Sequence, residues 1–296
     1  MFYKHLHLYF EIKCDIILVK STTPYIKRGD ILMFWNLRES SVTIGKSKAD
    51  YAVFGNGKTP LVIIPGLSLR DVKGAGAGLA LMYKLFAKDY RVYVIDKKAD
   101  IAEGCTVSDL ADDTAEAMIA LGITDAYLLG VSLGGMIAQE IAIRYPMLVK
   151  KLVLGVTASR TNTVMTSVIE KWVFLAEKSD FASIVKDMMN VMYSKDYVKR
   201  YGWLFPVLAK IAKPKNEIRF IRLAKACLTC NIYDRLDNIK CPTLVIGGSD
   251  DKIVTGEASV EIAEKLGCEI HMYEALGHSA YEEATDFNKK VYDFLR

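Results

Sequence analysis

Short apolar runs bounded by turn residues alternate with stretches of helical spacing through most of this chain, and that alternation leaves few folds open. Leu61-Val62-Ile63-Ile64 ends in Pro65-Gly66, the pattern of a strand buried on both faces. Residues 91–95, 126–130, 151–155, 243–246 and 269–273 read the same way. Helical spacing fills 79–87, 107–121, 133–145, 256–266 and 284–295. In the second of these, apolar side chains fall at 107, 110, 111, 115, 118 and 119, and Gly122 stops the run. Pro146 stops the third. Two further strands, 41–44 and 50–54, come first, joined by a turn at 45–48. Strands alternating with helices predict an α/β fold with a mostly parallel sheet flanked by helices.

Residues 158–237 break the rhythm. Their apolar spacing is helical throughout, Lys and Arg outnumber Asp and Glu, and the α/β pattern resumes after Cys241-Pro242. An all-helical block between two α/β stretches reads as an inserted lid. The expected organisation is therefore an α/β core of 41–157 and 238–296, a helical lid of 158–237, and an N-terminal extension of 1–40 with one added strand at 12–19. In that extension Lys4, His5, His7, Glu11, Lys13 and Asp15 break any signal-peptide core, so no cleavage site is expected. Met33 is an alternative start.

With 296 residues, the chain can bury about three quarters of its unfolded surface without a disulfide or metal staple. A net charge of +4 from 39 basic and 35 acidic residues does not favour a nucleic-acid partner. No apolar run is long enough for a membrane span. Six cysteines are too few for a disulfide scaffold, and Cys227-x-x-Cys230 has no second pair to complete a zinc site. Free thiols suit a reducing compartment, and the cytoplasm is the expected location. Gly57-Lys58-Thr59 and Gly45-Lys46-Ser47 lack the glycine a phosphate loop needs upstream. Gly74-Ala75-Gly76-Ala77-Gly78 follows no strand and reads as a mobile loop near the site entrance.

The chemistry centres on Gly130-Val131-Ser132-Leu133-Gly134, a G-x-S-x-G that follows a strand and opens a helix. A serine on so sharp a turn needs flanking glycines to let strand and helix approach. The helix then aims free N–H groups at any developing oxyanion. Of the four histidines, His5 and His7 fall in the extension and His271 falls within a strand. His278, in the loop after the last strand, is the expected base. Asp250 and Asp251 both lie just past the strand at 243–246, where a parallel sheet places its site; Asp251 is preferred. The Leu133 N–H and, from the loop after Ile64, the Leu67 N–H are the expected oxyanion donors.

From about residue 41 onward the chain resembles the α/β-hydrolase fold superfamily, in its compact, lidded, serine esterase-like branch. The order Ser132, Asp251, His278 matches that superfamily's Ser–acid–His order. Gly248-Ser249-Asp250-Asp251-Lys252-Ile253-Val254 resembles its acid loop, which supports Asp251. Gly277-His278 with Glu282 or Glu283 and Phe287-Asn288 resembles its terminal histidine segment. Tyr233 through Pro242 resembles the re-entry from lid to sheet. There are two departures. Pro65-Gly66 stands where many relatives carry His-Gly, and Asp96-Lys97-Lys98-Ala99-Asp100 replaces an Arg-Gly-x-Gly-x-Ser stretch.

The expected activity is hydrolysis of a carboxylic ester, lactone or thioester of small-molecule size through an acyl-enzyme, with no metal or cofactor. The alternatives are a lyase, a C–C bond hydrolase or an acyltransferase on the same triad, and a non-catalytic ligand sensor. Met188, Met189, Met192, Trp172, Phe174, Trp203 and Phe205 are expected in the lid core, some of them lining an apolar substrate pocket.

Overall fold

Residues 35–204 and 213–296 are described by the computed structural model. The strand expected at 12–19, Met33, His5, His7 and Phe205 lie outside them. The strands are β1 (Arg38–Ile44), β2 (Ser47–Phe54), β3 (Thr59–Ile64), β4 (Tyr90–Lys98), β5 (Ala126–Val131), β6 (Val149–Gly155), β7 (Thr243–Gly248) and β8 (Glu269–Tyr273). They form one sheet in the order β1-β2-β4-β3-β5-β6-β7-β8. The β1–β2 and β2–β4 pairs are antiparallel and all the others are parallel. Among the described residues the first strand starts at Arg38, three residues before the expected start at 41.

Around the sheet stand α1 (Gly76–Met82), α2 (Val107–Ala120) and α3 (Leu133–Arg144) from the first half. From the second half come α8 (Gly256–Leu266), α9 (Ala280–Glu283) and α10 (Phe287–Leu295). The central strands bury both faces, and successive side chains enter opposite cores. Val62, Ile64, Leu128, Leu152, Leu154 and Val245 pack with α2, α3 and α8. Leu61, Ile63, Leu129, Val153, Leu244 and Ile246 pack with α1 and α10. This is why the central strands read as unbroken apolar runs.

Two expectations shift. The 74–78 segment is tied down: Glu39 Oε1 accepts the Gly74 and Gly76 N–H groups at 3.1 and 2.6 Å, and α1 opens at Gly76. The final helix expected at 284–295 starts only at Phe287, as α10, and a separate short helix, α9, precedes it with Ala284 extended between them.

Between β6 and β7 lie α4 (Thr163–Glu177), α5 (Phe181–Met192), α6 (Lys195–Tyr201) and α7 (Glu217–Cys227). Asn162, Asp180, Ser194 and Asn216 cap them, each accepting the N–H of the third residue of its helix. The apolar faces of α4, α5 and α7 join the core on the α2–α3 side, with Trp172, Phe181, Ile184 and Phe220 buried there, whereas α6 packs in a small separate cluster with Val185, Met189 and Leu204. Phe174 and Trp203 are instead exposed, outside the core, and neither lines the cavities at Ser132.

The block is held on two flanks, to β4 of the sheet and to α9. On α7, Arg219 binds Asp96 at 3.0 Å and the carbonyls of Lys97 and Lys98 at 2.7 and 3.1 Å. At the end of α5, the Tyr193 hydroxyl donates to Glu282 at 2.5 Å. Ser194 reaches Glu283 through its N–H at 3.0 Å and its hydroxyl at 2.5 Å.

Phe220 is fully buried and meets Phe181 edge-on, with ring centres 6.1 Å apart. Phe220→Ala should therefore cost about 3–5 kcal/mol in chemical denaturation. A loss under about 1 kcal/mol would mean that the helical block is not packed as described.

Candidate active site

Ser132 sits between β5 and α3 with φ of 54° and ψ of −121°. That backbone is strained for a residue with a Cβ, and strain of this kind costs about 1–3 kcal/mol. The surroundings hold it. The Ser132 N–H donates to Gly155 O at 2.9 Å. Its carbonyl accepts from the Thr157 hydroxyl at 2.7 Å and from the Gly135 N–H at 2.8 Å. The flanking glycines make room. A Cβ on Gly130 would lie 2.4 Å from Gly134 O, and one on Gly134 only 1.9 Å from Ile64 O. Gly135 is equally confined, 2.6 Å from the Thr157 side chain.

The three side chains expected from the sequence come together. Ser132 Oγ lies 2.9 Å from His278 Nε2, and His278 Nδ1 lies 2.8 Å from Asp251 Oδ2. Asp251 Oδ1 accepts the N–H groups of Ile253 and Val254 at 2.8 and 3.1 Å, which holds the carboxylate in place with Oδ2 toward the imidazole. His278 and Asp251 are buried, whereas the neighbouring Asp250 is exposed and apart. The His278 loop is clamped from the helical block, because the Ser279 N–H donates to Met192 O at 2.9 Å. His271 is half-buried on β8 against Tyr273 and takes no part.

Leu133 opens α3, so its N–H has no intrahelical acceptor. Leu67 lies in the loop after β3. Beside it Gly66 abuts the serine: a Cβ there would be 3.2 Å from Ser132 Cβ. Leu67, Met136, Met165, Ile169, Trp172 and Met188 help line a cavity of about 30 Å³ at Ser132 and His278. Leu67, Met188 and Met192 also face a larger chamber of about 310 Å³ behind the 65–67 loop. Met189 lines only that chamber.

Cys227 and Cys230 are buried, their thiols directed at the carbonyls of Leu223 and Ala158. Burial pushes the Cys227 thiol up to about 12. Among the described residues, no cluster of three or more His, Cys, Asp or Glu could hold a metal ion, and no helix is long and apolar enough to cross a membrane.

Sequence reasoning missed Gly135, Thr157 and Lys97. Gly135 had a signal, since G-x-S-x-G is followed here by a second glycine. Thr157 and Lys97 reach the site only through sheet pairing, and nothing local marks them.

The sequence model of the alpha/beta hydrolase fold family matches residues 59–285. A protein named "Putative carbamate hydrolase RutD" from Rhizobium rhizogenes is 28% identical over 233 residues, covering 75% of this chain and 89% of its own. The 2-hydroxy-6-oxo-6-phenylhexa-2,4-dienoate hydrolase of Comamonas testosteroni is 27% identical over 213 residues, 69% of this chain and 72% of its own. Among solved structures, the alpha/beta hydrolase MGS-M2 from a Medee basin deep-sea metagenome superposes with a TM-score of 0.75 at 23% identity. That match covers 86% of this chain and 97% of the other.

Gly134→Ala should destabilise the protein by about 3 kcal/mol or more, because the backbone carbonyls of Ile64 and Pro65 occupy the space a Cβ would take. Gly104→Ala, with φ of 71° but open space around it, should cost only about 1–2 kcal/mol. Equal losses in urea melts of the two variants would contradict the close-approach account.

Proposed function

The chain belongs to the alpha/beta hydrolase family, and from that premise we propose that it is a serine hydrolase cleaving a carboxylic ester, lactone or thioester. The observation that carries this reading is the unbroken Ser132–His278–Asp251 hydrogen-bond chain, with contacts of 2.9 and 2.8 Å. Ser132 Oγ attacks the acyl carbonyl carbon while His278 Nε2 takes its proton. The carbonyl electron pair moves to oxygen, where the Leu67 and Leu133 N–H groups receive it. Each such donor is worth about 3 kcal/mol in the transition state. As the tetrahedral intermediate collapses, the bond to the leaving group breaks and His278 returns the proton to that group. Water, deprotonated by the same nitrogen, then attacks the acyl carbon; the bond to Ser132 Oγ breaks, His278 returns the proton to that oxygen, and the acid leaves with the serine restored. Asp251 holds the proton on Nδ1, which keeps Nε2 free as the acceptor, and it stabilises the imidazolium.

The helical block of 158–237 serves in this reading as a lid. It covers Ser132 with Met165, Ile169, Trp172, Met188 and Met192, so the substrate presents an apolar group to it. A confined, water-poor cavity also strengthens every charge interaction at the reacting carbonyl. A C–C bond hydrolase is the second reading. It is favoured by the relative named as a dienoate hydrolase, and it would use the same serine and base.

Ser132→Ala should abolish both ester turnover and labelling by a fluorophosphonate, with circular dichroism unchanged. Retained burst kinetics in that variant would overturn the serine mechanism. Asp251→Asn should lower kcat by roughly four orders of magnitude through the wrong imidazole tautomer. Asp250→Asn should leave kcat within about twofold. Kinetics of the two variants on a p-nitrophenyl ester check the assignment of the acid.

A further inference from the structure

A lysine stands behind the loop that carries the Leu67 N–H. Lys97 lies near the end of β4, and only 5% of it is exposed. The parallel β3–β4 register pairs Ile63 with Val94, so Lys97 falls beside the segment that follows β3. Its Nζ donates to two successive backbone carbonyls, Pro65 O at 2.5 Å and Gly66 O at 2.7 Å.

Peptide geometry turns this contact into an orienting device. The described peptide bonds are all trans. In a trans peptide unit the C=O and N–H point in opposite directions. The Gly66 carbonyl shares its unit with the Leu67 N–H, and the Pro65 carbonyl shares its unit with the Gly66 N–H. One ammonium that gathers both carbonyls therefore turns both N–H groups away from itself. The loop's other neighbour is the serine, 3.2 Å at Cβ and 3.7 Å at Oγ from where a Gly66 Cβ would stand.

We propose that Lys97 is a positioning residue of this site: its ammonium pins the Pro65 and Gly66 carbonyls so that the Leu67 N–H is presented to the oxyanion formed at Ser132. The proposal rests on the serine-hydrolase reading above. A charged donor holds a carbonyl about twice as firmly as a neutral one. It also polarises the peptide unit, which makes the opposite N–H a better donor. The two departures from the family pattern meet here, since the lysine comes from the segment that replaces Arg-Gly-x-Gly-x-Ser and grips the proline that replaces histidine.

The clamp is sensitive to pH. Burial pushes the Lys97 ammonium down to about 8, against the opposing pull of Asp96 on the same strand. Arg219 and Cys227 face it from α7. Arg70 and Asp71 from the loop, Tyr83 beyond α1, Tyr193 after α5, and Tyr281 and Glu282 on α9 line the same chamber. Asp96 is engaged by Arg219 and by the Val72 and Lys97 N–H groups. Cys227 and Tyr193 are both pushed up by burial, the thiol to about 12 and the phenol well above its ordinary range. Burial likewise raises Glu282. A lysine below its ordinary range is charged at pH 7 and neutral by pH 10, so the grip on the oxyanion loop falls to that of a neutral, weaker donor as pH rises through about 8.

The test follows kcat and KM of the full chain on a neutral p-nitrophenyl ester from pH 6 to 10. In the unmodified protein kcat should fall through one ionisation near pH 8, with KM within about twofold. Lys97→Met should lower kcat at pH 7 by roughly ten- to a hundredfold, leave KM within about twofold, and lack the alkaline fall. If that variant does not fold, Lys97→Gln carries the same test, because its amide can still donate to a carbonyl without titrating. A flat wild-type kcat up to pH 10 would overturn the proposal, and so would an unchanged alkaline fall in either variant. Fluorophosphonate labelling separates the two readings. No labelling of Ser132 in the unmodified protein sinks the serine mechanism, whereas normal labelling with a normal Lys97→Met profile sinks the clamp alone.

Discussion

The contact between the first turn of α3 and the end of β3 is the constraint on which the site depends. Gly134 lies so close to the Ile64 carbonyl that no side chain fits between them. That approach sets the angle at which α3 leaves β5, and so places Ser132 at the apex of a turn with positive φ. It also brings the loop after β3 against the serine, because Ile64 is the residue from which that loop departs. With β3 and β5 adjacent and parallel, the crevice forms at their C-terminal ends, where an α/β sheet offers free loops and helix N-termini.

The other groups arrive from the far side of the sheet. β7 delivers Asp251 and the segment after β8 delivers His278, and the two strands are paired in register through Gly248 and Tyr273. The helical block then ties down both flanks of the crevice. Arg219 is a buried ion pair, and replacing such a pair by apolar groups is often neutral for stability. Its value lies in placement, for it joins α7 to the Asp96–Lys98 backbone beside the 65–67 loop. On the opposite flank Glu282 and Glu283 bind the end of α5, and the Met192 carbonyl holds the Ser279 N–H next to His278.

Much of this was legible in the sequence because the periodicities are local. The runs at 61–64, 126–130 and 243–246 announced strands buried on both faces, and the glycines around Ser132 announced a tight strand-to-helix turn. Ser132, Asp251 and His278 could be named because each sits in the loop after a recognisable strand or its following turn. What stayed hidden depends on partners distant in the chain. Tyr193 and Ser194 bond Glu282 and Glu283, about ninety residues downstream, and no local pattern marks that contact. The 74–78 glycines read as mobile because nothing local reveals Glu39 as their acceptor. In the sequence Lys97 is only part of a stretch that departs from the family pattern, and the β3–β4 register is what sets it, buried, beside the 65–67 loop.

The two cations at the end of β4 divide their work by shape. Arg219 spreads three contacts over two of its nitrogens, Nε to the Lys98 carbonyl at 3.1 Å and Nη2 to Asp96 and the Lys97 carbonyl at 3.0 and 2.7 Å. A planar fork suits acceptors set apart in one plane. Pro65 O and Gly66 O instead converge on a single atom, and a compact ammonium with rotatable donors suits that geometry. An ammonium also shifts its protonation readily when buried, whereas a guanidinium does not. The residue that can hold two successive carbonyls at one point is thus also the residue whose charge can be lost within an ordinary pH range. Placing it behind the Leu67 peptide couples the loop's orientation to proton concentration, while the arginine beside it keeps the helical block docked.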